Sequence, residues 1–166
     1  MPLTKATSRP KLILATADQN FTSATLTDST YLQATLSANT KYQITIGLII
    51  FAPDVFGAQA LKAKWVQSSG TVIGGWIGMG GVQNYQGTIR NIGLESNVDA
   101  DISTFLTLNL ADQGQLDADY KLPVTSFIAS VGATGGISKI QFANTDPDSN
   151  DLFIKTNSYM IVTQLS

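Results

Sequence analysis

At 166 residues, with a formal net charge of −2 and neither histidine nor cysteine, the chain has the size of one domain. These counts exclude disulfides, thiolate metal sites and histidine-based catalysis, and they offer no general attraction for a nucleic-acid backbone. Charged residues make up 13% and hydrophobic residues 43%, which suits a folded β protein with a neutral, hydroxyl-rich surface rather than a disordered chain.

Residues 1–17 read as an N-terminal arm and residues 18–166 as the folded domain. Lys5, Arg9 and Lys11 are three of only ten basic residues, and Pro2 and Pro10 discourage regular structure. Leu12, Ile13 and Leu14 could still pair as a short strand. A frayed terminus and an arm reaching a neighbouring subunit or partner both fit this stretch. Residues 18–30, rich in Thr, Ser and Asp, read mostly as loop. Leu32, Ala34 and Leu36 then alternate with Gln33 and Thr35 as a strand, and Ser37-Ala38-Asn39 reads as a hairpin turn.

Residues 40–51 read as the central strand. Tyr42, Ile44, Ile46, Leu48 and Ile50 form one unbroken apolar row, because successive strand side chains point to opposite faces. The other row begins polar, with Lys41, Gln43 and Thr45, and turns apolar at Ile49 and Phe51. Pro53 cannot donate to a ladder and should stop the pairing. The run from 46 to 52 is far short of the ~20 apolar residues that span a bilayer. The first ten residues lack a signal-peptide core, so synthesis and assembly in a cytoplasm are expected.

A strand over about residues 59–67 should place Leu61, Ala63 and Trp65 inward and Lys62 and Lys64 outward. Residues 70–81 hold six glycines around Val72, Ile73, Trp76, Ile77 and Met79. Glycine marks bulges, bends or close backbone approach, and the spacing matches no dinucleotide or phosphate loop. The segment reads either as a bulged strand on its own sandwich or as an apolar loop between subunits. In the second reading Trp76, Ile77 and Met79 are the contact residues, since Trp and Met are common interface anchors.

Further strands are expected over 85–92, with Arg90 among apolar neighbours, and over 102–110. An acidic loop follows at 111–120. Phe127, Ala129 and Val131 line one face of the strand after Pro123. Residues 132–136 read as a hairpin connection, and Ile140 and Phe142 should point inward from the next strand. Residues 159–165 form a last strand that ties the C-terminus into a sheet. The sum is an all-β fold: an antiparallel β-sandwich or jelly roll of about eight or nine strands, with a short N-terminal arm.

Signatures of catalysis are poor. Glu95 is the only glutamate, and Ser138-Lys139 are adjacent and should point to opposite sheet faces. Asp146, Asp148 and Asp151 have a calcium-like spacing but lack the Gly and bidentate Glu of an EF-hand loop. A plain Asx-type turn explains them as well. No enzyme activity, cofactor or metal is expected.

Three pieces resemble β-sandwich domains on the surface of tailed-bacteriophage virions. The first, Ala38-Asn39-Thr40-Lys41-Tyr42-Gln43-Ile44, is similar to the hairpin entering their central strand. Lys62-Ala63-Lys64-Trp65 is similar to the next strand, with its buried Trp. The third runs from Phe127 to Gly132, through Gly135-Gly136-Ile137 and Lys139-Ile140-Gln141-Phe142-Ala143-Asn144, to Ser158-Tyr159-Met160-Ile161-Val162-Thr163. It is similar to their closing meander. The chain departs from the pattern at residues 70–81, where such domains carry a Gly-Pro-containing turn.

The resemblance implies a virion role as a capsid decoration (cement) protein, a head fibre or a tail-fibre tip, often trimeric. The chain opens on Met and shows no heptad or repetitive stem, which favours decoration of the capsid surface. The expected partners are the major capsid protein and the chain itself, as a homotrimer, with no nucleic acid and no membrane. Lys5, Arg9, Lys11 and Leu12 are the expected capsid contacts. The competing reading is a receptor- or carbohydrate-binding head, for which Tyr85 beside Asn84 and Gln86 could supply a sugar site.

Overall fold

The computed structural model describes residues 9–51, 60–73, 81–83, 89–91, 106–109, 120–121, 124–144 and 152–165. Every regular element among them is a strand. In chain order these are β1 (Lys11–Leu14), β2 (Gln19–Phe21), β3 (Thr27–Leu36), β4 (Lys41–Gly47), β5 (Ile50–Phe51), β6 (Ala60–Val66), β7 (Gly70–Ile73) and β8 (Gly81–Gln83). There follow β9 (Ile89–Asn91), β10 (Leu106–Asn109), β11 (Tyr120–Lys121), β12 (Val124–Val131), β13 (Gly136–Asn144), β14 (Leu152–Ile154) and β15 (Tyr159–Gln164).

The nine segments of four residues or more form two sheets, ordered β1-β15-β4-β12-β7 and β10-β6-β13-β3, with every neighbouring pair antiparallel. Setting β7 aside as an added edge, the remaining eight strands fall in the order first-eighth-third-sixth in one sheet and second-seventh-fourth-fifth in the other. That is the strand order of a jelly roll, two Greek keys wrapped into a sandwich. The six segments of two or three residues make a third sheet, β2-β14-β5-β11-β8-β9. Its short pieces gave no alternation to read in the sequence.

β4 lies in the middle of its sheet, and Tyr42, Ile44, Ile46, Leu48 and Ile50 are all buried, as their alternation predicts. The strand does not run through to Phe51, however. It ends at Gly47, and the chain moves into the third sheet as β5. Ser158 ends the ladder: its Oγ accepts from the Ile49 amide at 2.9 Å, while the Lys155 amide donates to the Ile49 carbonyl at 2.8 Å. The backbone groups that would have extended β4 are therefore satisfied elsewhere.

Two expected hairpins are instead arches between sheets. β3 and β4 lie in different sheets, as do β12 and β13. The inward rows explain it: Leu32, Ala34 and Leu36 face Tyr42, Ile44 and Ile46 across the core, which side-by-side pairing would not allow. Asn39 takes the left-handed conformation (φ 54°) that the bend needs, and its amide donates to the Gly132 carbonyl at 2.8 Å. A third arch, Gln67-Ser68-Ser69, joins β6 to β7. Ser68 and Ser69 both donate to the Thr134 carbonyl, at 2.8 and 2.7 Å, so the β6–β7 and β12–β13 arches brace each other.

Residues 18–30, expected to be mostly loop, contain β2 and the start of β3. Gln19 replaces missing ladder bonds: its Oε1 accepts from the Thr30 amide at 2.9 Å and its Nε2 donates to the Asp28 carbonyl at 3.0 Å. The inward position there is a serine, Ser29, which hid the strand from a hydrophobic-pattern reading. Between the sheets, Trp65 of β6 meets Phe127 of β12 edge-on, with ring centroids 5.2 Å apart. Phe21 and Phe142 do the same at 5.2 Å. Each such pair contributes about 0.5–1.5 kcal/mol beyond the burial of its rings.

Within residues 70–81, Gly70–Ile73 is a regular edge strand; residues 74–80 lie outside the described residues. Only Ile89–Asn91 of the expected 85–92 strand and Leu106–Asn109 of the expected 102–110 strand are described.

Candidate interaction surface

β1 is the outermost strand of the five-stranded sheet and pairs with β15, from Lys11 opposite Val162 to Leu14 opposite Tyr159. Ile13 turns inward against the core, and Leu12 and Leu14 turn outward, 58% and 46% exposed. Arg9 and Lys11 are exposed as well. Three of the four expected capsid-contact residues thus stand in the open at one sheet edge. The fourth, Lys5, lies outside the described residues.

The chain leaving β1 is fastened. Lys155 pairs with Asp18, and the Thr156 amide donates to Asp18 Oδ1 at 2.8 Å. The Lys155 hydrogen bond, reinforced by the Thr156 amide, holds the Asp18 carboxyl below its usual range. The Lys155 ammonium also lies 5.5 Å and 5.7 Å from the ring centroids of Phe51 and Phe153, within cation–π reach.

The outer face behind this edge is a grid fixed by the strand register. One row is Leu14-Tyr159-Gly47-Val124, the next Leu12-Ile161-Thr45-Ser126, and a third Thr163-Gln43-Ile128. The Tyr159 ring lies across Gly47, where an added Cβ would come within 2.3 Å of it, so the first row is level from Leu14 to Val124. In the centre, Thr45 and Ser126 hydroxyls bond each other at 3.1 Å and Gln43 Nε2 donates to Ser126 at 3.3 Å. No Asp or Glu occurs in any of the five strands. The sequence signal for this face was faint but present: Tyr159 and Ile161 are as apolar as the buried Met160 and Val162 that alternate with them, so both rows of β15 suit a covered surface.

The chemistry expected to be absent can be placed only in part. Ser138 is buried in the core and its hydroxyl has no hydrogen-bond partner among the described residues, while Lys139 turns outward to pair with Asp28. The two do point to opposite faces, and a core hydroxyl of this kind does not meet a substrate. A cleft of about 330 Å³ beside β6 and β7 is lined by Trp65, Gln67, Thr71 and Val72 among others. Gln67 holds its wall: Oε1 accepts from Trp65 Nε1 at 3.1 Å and Nε2 donates to the Ser69 carbonyl at 2.9 Å. Among the described residues no three His, Cys, Asp or Glu come together to hold a metal, and no helix is long and apolar enough to cross a membrane. Trp76, Ile77 and Met79, the Tyr85 group, and Asp146, Asp148 and Asp151 lie outside the described residues.

No family model matches the chain, and no curated protein matches it. Among solved structures it is similar to the VP2 subviral particle of infectious bursal disease virus, with 15% identity over 94% of this chain and a TM-score of 0.25. The structure of the Gt strain of that virus gives 14% identity over 95% of this chain and a TM-score of 0.26. The chain spans 39% and 38% of the length of those two proteins. Likenesses this loose assign neither a family nor an activity.

Proposed function

We propose that the chain is a virion structural protein that decorates the outside of a capsid, associates there with its own copies and bridges neighbouring capsid subunits. The observation that carries this reading is the exposed edge: Arg9 just before β1, and Lys11 and Leu12 on it, are basic and apolar at an outermost strand of a sheet whose five strands contain no acid. An unpaired edge strand is a ready template for another chain. The resemblance of the 127–163 stretch to phage surface domains supports the setting, and so does the jelly-roll strand order, an architecture that viral capsid proteins use widely.

The mechanism is mass action. A protein that binds the assembled shell and not its separated subunits shifts the equilibrium toward the shell. Linking several such contacts through one oligomer multiplies a modest single-site affinity. Nothing in this role asks for a catalytic group or a cofactor.

The test is a binding assay of the full chain on undecorated capsids and, separately, on susceptible host cells. Saturable binding to shells is expected, with at least a tenfold (~1.4 kcal/mol) loss in the double variant Arg9→Glu, Lys11→Glu. Binding to cells without binding to shells would replace this reading with a receptor-binding head.

A further inference from the structure

We infer that the outer face of the five-stranded sheet is where a second copy of this chain packs, like face on like face. The inference deepens the self-association in the proposed role and rests on that part of it, not on attachment to a capsid. Of the five exposed large hydrophobic residues among the described ones, Leu12, Leu14, Val124 and Leu165 lie on or at the end of this face, and only Ile137 lies elsewhere. Between them the half-buried Tyr159, Ile161 and Ile128 complete an apolar surface, kept level by the ring lying over Gly47.

The occupant follows from charge and from hydrogen bonding. The chain carries 12 acidic residues against 10 basic ones, yet none of the acids lies in these five strands. Two copies can therefore meet here without setting carboxylate against carboxylate. The one charged side chain in the outward grid is Lys41, at its end, in the row with Ser130 and Thr71. The central polar groups already bond one another sideways, Thr45 to Ser126 and Gln43 to Ser126. These bonds lower the cost of covering the three side chains, so an apolar protein surface suits the face better than a sugar or another polar ligand.

Four strands about 4.8 Å apart, with some seven residues of rise at about 3.4 Å, make a plane of roughly 450 Å². Two such planes, with the relief of their side chains, bury about 1,000 Å², the lower range of specific interfaces. Such a contact is reversible, and it becomes strong only where copies are held together on a lattice. A self-complementary face has a two-fold axis, so this pairing gives a dimer, in contrast to the trimer implied by the resemblance.

Sedimentation velocity of the full chain over a concentration series tests the pairing. A concentration-dependent dimer is expected, weakened at least about tenfold by Ile161→Glu and unchanged by Ile137→Glu on the opposite sheet. The chain has no cysteine, so a single Thr45→Cys substitution gives a second reading that leaves the apolar face in place. Thr45→Cys should cross-link to a dimer with a short bismaleimide, and Ile137→Cys should not. A monomer at every concentration, a trimer, or a dimer indifferent to Ile161→Glu and to the position of the cysteine would overturn the inference. Failure of the native dimer to bind any shell would sink the capsid role and leave the pairing standing.

Discussion

The two outer faces of the sandwich cover the same core with opposite chemistry. On the five-stranded sheet the outward residues are mostly Leu, Ile, Tyr, Val, Thr and Ser, with Gln43 and a single charge at Lys41, and Gln43, Thr45 and Ser126 bond sideways to each other. On the four-stranded sheet, Lys62 and Lys64 stand opposite the buried Ala63 and Trp65, and Asp28 joins Lys139 and Gln141 across the β3–β13 pair. One face keeps water by charge; the other carries a single lysine and turns part of its hydrogen bonding back on itself. The lesson is that a sheet face suited to contact is marked less by its hydrophobic count than by where its hydrogen bonds go.

Substitutions can break or sharpen this contrast, beginning beneath both faces. Trp65→Ala empties a site that is 1% exposed and removes the edge-on contact with Phe127. The expected loss is about 3–5 kcal/mol in chemical denaturation, enough to unfold a marginal domain. A loss below 1 kcal/mol would show that the two sheets do not share one core.

Gly70→Ala should come next. Gly70 has φ +96°, and an added Cβ would sit 2.0 Å from the Ser130 carbonyl oxygen, a backbone atom with nowhere to go. A loss above about 1 kcal/mol is expected, as strain at a positive φ adds to the clash. Gly47→Ala meets the far end of a side chain instead. The Tyr159 ring can swing off the sheet, so stability should fall by no more than about 1 kcal/mol. The level row would be lost, and self-association with it. Comparing the two alanines by melting and by sedimentation separates a glycine that holds the fold from one that shapes a surface.

The smallest effects fall on the charged face. Lys139→Met should cost less than about 1 kcal/mol, and the difference from the native chain should shrink in about 1 M salt. Thr45→Val on the other face should show no such salt dependence.

The Lys139 hydrogen bond, with help from Gln141, holds the Asp28 carboxyl below its ordinary value of 3.8, as Lys155 does for Asp18. A depressed carboxyl contributes stability that is complete above the unfolded value and is lost as pH falls through the folded one. Acid titration should therefore weaken the protein below about pH 4, and Asp28→Asn should flatten part of that slope. An unchanged slope would remove Asp28 from the charged face's contribution.

The buried rows were legible because they obey a period of two over enough residues to count: 42 to 50 in and after β4, 127 to 131 in β12, Trp65 in β6. The edge strand β1 was half legible: Leu12, Ile13 and Leu14 allowed a short strand within a stretch read as an arm, and pairing with β15 makes it part of the sandwich. The third sheet was not legible, since segments of two and three residues carry no period. Nor was β3 before Leu32, where Ser29 takes the inward place and Gln19 supplies the bonds.

Of the expected contact residues, Arg9, Lys11 and Leu12 were named for basic or apolar character in a terminal arm, and only the structure shows them exposed. Tyr159, Ile161, Thr45 and Ser126 were passed over, because they become one surface only when β15, β4 and β12 are set side by side. Alternation along a strand is local and survives in the linear chain, so the sequence by itself determined the all-β class, the central strand and most of the core. Which strand lies beside which depends on contacts between residues more than a hundred positions apart, such as Ile49 with Ser158. That was left to the tertiary structure, which turned two apparent hairpins into arches and assembled a neutral face from four distant pieces of chain.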